Sequence, residues 1–141
     1  MDDPHDLQRF VAAQQPVHAQ VLEELRAGRK ASHWMWFVFP QLRGLGHSEM
    51  AQRYGLASAA EARAYARDPL LGARLRECTA LMLAVEPGRS ARQVLGTPDD
   101  LKFRSCMTLF AQIADDPAPF EQALQRYFDG EPDSRTLALL A

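Results

Sequence analysis

The chain has 141 residues, which fits one domain able to bury roughly two-thirds of its unfolded surface, so neither a disulfide nor a structural metal is needed to hold a core. A hydrophobic fraction of 47% and a charged fraction of 24% exclude a disordered chain, and the longest apolar runs, 34–39 and 80–85, fall far short of the ~20 residues that cross a bilayer. A net charge of -2 argues against nucleic-acid binding, which needs a basic face to neutralise phosphates.

Five prolines stand where a helix can begin, four of them after a residue able to cap it: Asp3-Pro4, Asp68-Pro69, Thr97-Pro98 and Asp116-Pro117, with Gln15-Pro16 as the fifth. Proline at the first helical position costs little, because its missing N–H has no intrahelical partner there. Each pair therefore reads as a start. Leu7, Phe10 and Val11 follow the first at helical spacing, and Val17, Val21, Leu22 and Leu25 mark a second helix that Gly28 stops. Residues 32–40, Ser-His-Trp-Met-Trp-Phe-Val-Phe-Pro, hold both tryptophans and two phenylalanines. Their aromatic and β-branched content suits a strand, but no partner strand is evident. The segment is read as a short buried helix capped by Ser32 and stopped before Pro40.

Next comes Arg43-Gly44-Leu45-Gly46-His47-Ser48-Glu49, leading into a helix through Met50, Ala51 and Tyr54 to Gly55. Ser58 with Glu61 three residues on makes a capping box for a helix ending at Asp68. Pro69 opens another, with Leu71, Leu75, Cys78, Met82 and Val85 at helical spacing and an end, 80–85, that is apolar all round; it is predicted to be the central, most buried helix. Glu86-Pro87-Gly88 stops it, and Ser90 caps a brief helix to Leu95. From Pro98, the positions Phe103, Cys106, Met107, Phe110, Ile113 and Ala114 form one stripe. Asp116-Pro117 starts a helix with Phe120, Leu124, Tyr127 and Phe128, and after a turn at 130–134 a last helical piece runs from Thr136 to Leu140. The prediction is all-α: a single compact orthogonal helical domain over 1–141, with about seven to nine helices, several short.

The aromatic segment has two readings. Lys30 before it and Gln41 and Arg43 after it flank a stacking surface of Trp34 and Trp36 with His33, a composition that suits a nucleotide or another aromatic ligand. Equally, it is a core helix whose indole N–H groups and imidazole are satisfied by nearby carbonyls. Gly44 and Gly46, before a helix start, allow backbone N–H groups to face a phosphate or carboxylate beside Arg43, or are plain turn residues. The dinucleotide fingerprint is not matched.

Lys102 sits near its helix N-terminus, where the dipole disfavours a cation. It meets either a ligand anion, with Ser105 and Arg104, or Asp99 or Glu49. Glu49, opening a helix, is the candidate acid or base. The four histidines have no metal-type spacing, so neither a metal nor a cofactor is expected. Cys78 and Cys106 fit core positions, and the acidic opening lacks a signal-peptide core, so the expected location is cytoplasmic. The acidic pairs Glu23-Glu24, Asp99-Asp100 and Asp115-Asp116 read as first-turn or solvated residues.

Ser-His-Trp-Met-Trp-Phe-Val-Phe-Pro-Gln (32–41), Gly-Leu-Gly-His-Ser (44–48), Glu-Ala-Arg-Ala-Tyr (61–65), Asp-Pro-Leu-Leu-Gly-Ala-Arg-Leu (68–75) and Lys-Phe-Arg-Ser-Cys-Met-Thr-Leu-Phe (102–110) strongly resemble a family of small bacterial proteins catalogued as domain of unknown function 1810. The resemblance covers nearly the whole chain and implies the family's mostly α-helical fold, known from a mycobacterial member. Asp68 and Cys106 depart from the family's pattern, which has His and Ser there. Some members carry the label calpastatin, but this chain has none of the flexible inhibitory repeats that label implies. The family also has a distant similarity to proteins that remove ADP-ribose from guanine or process riboflavin precursors, through an acid-led helix, here Glu49 to Tyr54, and a Pro-opened helix, here Pro69 to Leu75.

The leading expectation is a pocket for a nucleotide or ADP-ribose-like compound, extending to N-glycosidic hydrolysis. Trp34 or Trp36 would stack a base, Lys30, Arg43 and Lys102 would hold phosphates, and Glu49 would act as acid or base. The alternative is a non-catalytic helical protein-interaction module.

Overall fold

The computed structural model describes residues 3–141 and, among them, contains ten helices and no strand. They are α1 (Gln8–Gln14), α2 (His18–Ala27), α3 (Met35–Val38), α4 (Glu49–Tyr54), α5 (Ala59–Arg67), α6 (Pro69–Ala84), α7 (Ala91–Leu95), α8 (Asp99–Ile113), α9 (Ala118–Phe128) and α10 (Ser134–Leu140). The all-α fold is the one the sequence indicates. None of these helices is long and apolar enough to cross a membrane.

Of the five proline starts, only Pro69 stands at a first helical position: α1 begins four residues after Pro4 and α2 two after Pro16, while Pro98 and Pro117 are themselves N-caps. The Asp3 carboxylate accepts from the N–H groups of Leu7 and Gln8, and Asp68 accepts from those of Leu70 and Leu71 with Pro69 at the first helical position. Ser90 and Gln93 form a reciprocal capping box. At α5 only half of the predicted box forms: Ser58 accepts from the Glu61 N–H, but the Glu61 carboxylate turns to the Ala57 N–H and the Arg9 guanidinium.

The most buried helix is α8, not α6. Every residue from Ser105 to Phe110 is buried, whereas Ala80 and Ala84 of α6 are exposed. Small apolar side chains at the end of α6 cost little in water, and α8 lies between α5, α7, α9 and α10. Phe103 and Phe110, both on α8, meet Phe39 edge-on at 4.9 Å and Phe120 at 5.7 Å between ring centroids. Where α5 and α6 meet, Gly72 allows a close approach: a Cβ there would lie 2.2 Å from the Ala66 carbonyl oxygen. One contact resembles sheet pairing. Arg43 N–H donates to the Leu56 carbonyl at 2.8 Å and Leu56 N–H to the Gln41 carbonyl at 2.9 Å, tying the loop after Pro40 to the segment after α4.

Glu24 is the departure with most consequence. Instead of lying on a solvated face, its side chain is buried and accepts from the Ala31 N–H (2.7 Å), the Ser32 N–H (3.0 Å), the Ser32 hydroxyl (2.6 Å) and Trp34 Nε1 (2.9 Å). Ser32 therefore does not cap α3, which starts after Trp34 without a side-chain cap. Burial by itself raises a carboxyl pKa, but the Ser32 hydroxyl, the Ala31 N–H, the Trp34 indole and the Ser32 N–H all favour the charged form, and Glu24 is lowered from 4.5 to about 2. A depressed folded-state value means that the carboxylate's stabilisation is whole above pH 4.5 and is lost as pH falls toward 2.

Glu24→Gln should destabilise the protein by roughly 2–3 kcal/mol at neutral pH in urea unfolding, because a charged acceptor is lost and an amide N–H is set against donors. The same variant should lose less stability than wild type as pH falls from about 4.5 toward 2. Gly72→Ala should cost about 1–3 kcal/mol in the same assay by forcing α5 and α6 apart.

Candidate functional site

Along the first half of α8, residues three and four apart share a face, so Leu101, Lys102 and Ser105 project away from Phe103 and Met107. That outward face borders a cleft of about 450 Å³. Its second wall is the loop after Pro40, through Gln41, Leu45 and Gly46, and its third is the start of α10, through Asp133 and Arg135. The volume is that of a small-molecule site, roughly 300–1,000 Å³.

Lys102 is the charged centre of this face. Its Nζ lies 5.2 Å from the Trp36 ring centroid and 3.9 Å from the Asp99 carboxylate. The same carboxylate is held at 2.9 Å by Lys30, whose side chain is nearly buried and whose Nζ lies 5.1 Å from the Trp34 ring. Asp133 accepts from the Ser105 hydroxyl at 3.2 Å, from the Thr136 N–H at 3.0 Å and from the Thr136 hydroxyl. Arg104 is partly neutralised by Glu131 at 3.2 Å, and Arg135 donates to the Leu45 carbonyl at 3.4 Å.

The structure brings Gln41, Lys102 and Ser105 to one cleft, with Arg104 beside them. Trp34 lies wholly in the core on Glu24, and Lys30 is spent on Asp99. Trp36 borders a crevice of about 10 Å³ with Gln41 and Lys102, room for one water and far too little for a ring. Its indole nitrogen is buried and meets no acceptor among the described residues. Trp36 thus faces Lys102 rather than an open stacking slot. Arg43 is exposed and borders a neighbouring cavity, while His33 and Glu49 are exposed and line neither the cleft nor the crevice.

Asp133 and Arg135 escape a reading of the sequence because 130–134 looks like a plain turn. The signal was there: Asp133 followed by Thr136 is an N-cap with its third residue, and Asp133 does cap α10.

Residues 4–140 match the model of a family described as Protein of unknown function (DUF1810). The crystal structure of a conserved hypothetical protein from Mycobacterium tuberculosis is 58% identical, with a TM-score of 0.96 over 98% of each chain. No curated protein shows a significant match.

Both thiols lie outside this chemistry. Cys78 and Cys106 are buried, and burial pushes the Cys78 thiol up to about 12 and raises that of Cys106 as well. Neither should react with a thiol-specific reagent in the native protein at pH 8 within minutes, and both should react at once in urea.

Proposed function

We propose that this chain, which belongs to the DUF1810 family of proteins of unknown function, binds a small anionic ligand of nucleotide class in the cleft between α8, the loop after Pro40 and α10. The observation that carries the reading is the charge on Lys102. One Asp99 carboxylate faces two ammonium groups, and Lys30 takes it at 2.9 Å while Lys102 reaches it only at 3.9 Å. The three groups keep one positive charge between them, and the under-neutralised member is the one that borders the cleft.

The rest of the lining supports the same class of ligand. Leu45, Pro98 and Leu101 offer an apolar wall to a flat ring, Gln41 offers a polar edge, and Arg135 supplies a second cation. Catalysis is less well served. Among the lining residues Asp133 is the single carboxylate, and its donors already occupy it, so binding is favoured over N-glycosidic hydrolysis. Two free thiols suit a reducing cytoplasm. The competing reading, a protein-interaction module, draws on the exposed Leu101 and Leu139.

A thermal-shift screen of AMP, ADP, NAD and ADP-ribose tests the reading. At 100 times its Kd a ligand stabilises the native state by about 2.7 kcal/mol, so at least one compound should raise Tm measurably. Lys102→Ala should remove that rise while barely changing the Tm of the free protein, since a long, partly exposed ion pair is worth about 0–1 kcal/mol. If no compound raises Tm at saturating concentration, the nucleotide reading is wrong.

A further inference from the structure

Gly46 borders more than the cleft. On the other side of that glycine lies a second cavity of about 420 Å³, bordered by Arg43, Gly44, His47 and Gln52 as well as by Gly46 itself. The second is the shallower of the two, since Arg43, Gly44, His47 and Gln52 are all exposed. Gly46 is the residue that both cavities share, and its bare Cα packs on Ala51, whose Cβ would lie 2.9 Å from a Cβ at this position.

The junction is rich in donors. The N–H groups of Gly44, Gly46 and His47 meet no acceptor among the described residues, and Gly44 has a φ of +105° that its lack of a Cβ permits. Only Gly46 and His47 are adjacent, since the Leu45 N–H donates to the Leu42 carbonyl at 3.5 Å, and adjacent free backbone N–H groups favour an anion. Cations stand on both sides. Arg135 touches the Leu45 carbonyl from the first cavity, beside Lys102, and Arg43 is anchored in the second through its Nε on the Gln52 carbonyl at 3.2 Å. That anchor leaves both terminal nitrogens of Arg43 without a partner among the described residues. Lys102 and Arg135 thus border the cavity on one side of Gly46, and Arg43 borders the cavity on the other.

We propose that the two cavities form one groove for a two-armed ligand joined by a diphosphate, of dinucleotide class, with the diphosphate over Gly46. This rests on the anionic-ligand reading above and narrows it: a mononucleotide would fill only the half bordered by Lys102.

Isothermal titration of the full chain with AMP and with NAD tests the proposal. Wild type should bind NAD at least about ten-fold more tightly than AMP, the effect of one further charge-assisted contact. Arg43→Ala, at an exposed position that leaves the fold intact, should abolish that preference while leaving AMP affinity unchanged. Lys102→Ala should weaken both. Equal affinity of wild type for AMP and NAD, or an Arg43→Ala variant that keeps the preference, overturns the two-armed groove and leaves the single-cleft reading standing. Absence of binding by either compound overturns both. Tight binding of a short single-stranded DNA with none of NAD overturns the groove in favour of a polymer site.

Discussion

The arrangement turns on one buried carboxylate. Glu24 gathers four donors from residues 31 to 34, and a buried charge is tolerated only when it is satisfied in this way. The consequences run outward along the chain. The Trp34 indole is pulled into the core, α3 begins where the loop has been pinned, and Lys30, whose N–H donates to the Val94 carbonyl, is delivered to Asp99 at the start of α8. Lys102 is left with the weaker share of that carboxylate. The charge that borders the cleft is therefore set by a contact on α2, far away in sequence.

Helix α8 joins the core to the cleft. Its inward face carries Phe103, Met107 and Phe110, all fully buried, which fixes its rotation as well as its position. With the rotation fixed, Lys102 and Ser105 have one place to go. The far wall is held by polar contacts of the same helix: Ser105 donates to Asp133, and the Asp133 N–H donates to the Thr108 hydroxyl at 2.8 Å. Core packing and cleft geometry are thus two faces of one element, and the loop after Pro40 closes the other side of the cleft.

Membership of the DUF1810 family and a 58% identical neighbour of known structure carry the fold over nearly the whole chain, but neither is described as having an activity. A fold hosts many chemistries, so function has to be argued from the site. Here the site argues for an anion. Its backbone donors, lysine and arginines suit charge, its apolar wall suits a ring, and its single, occupied carboxylate is a poor proton-transfer group.

What the sequence determined by itself is local. Caps at Asp68, Ser58 and Ser90, the proline that opens α6 and apolar residues three and four apart specify helices because their contacts span only a few residues. Local reasoning also named Gln41, beside the aromatic segment, and Lys102, a cation near a helix N-terminus, with Ser105 close to it. Only the tertiary structure decided which of them meet. Trp34 and Lys30 went inward because Glu24 and Asp99, distant or unremarkable in sequence, were there to receive them, and Glu49 and His33 stayed exposed because no element packs over them. Asp133 and Arg135 reached the cleft from the other end of the chain. Local signals carry no information on such partners, since a buried polar group is satisfied by whatever the packing of whole helices brings within hydrogen-bond distance.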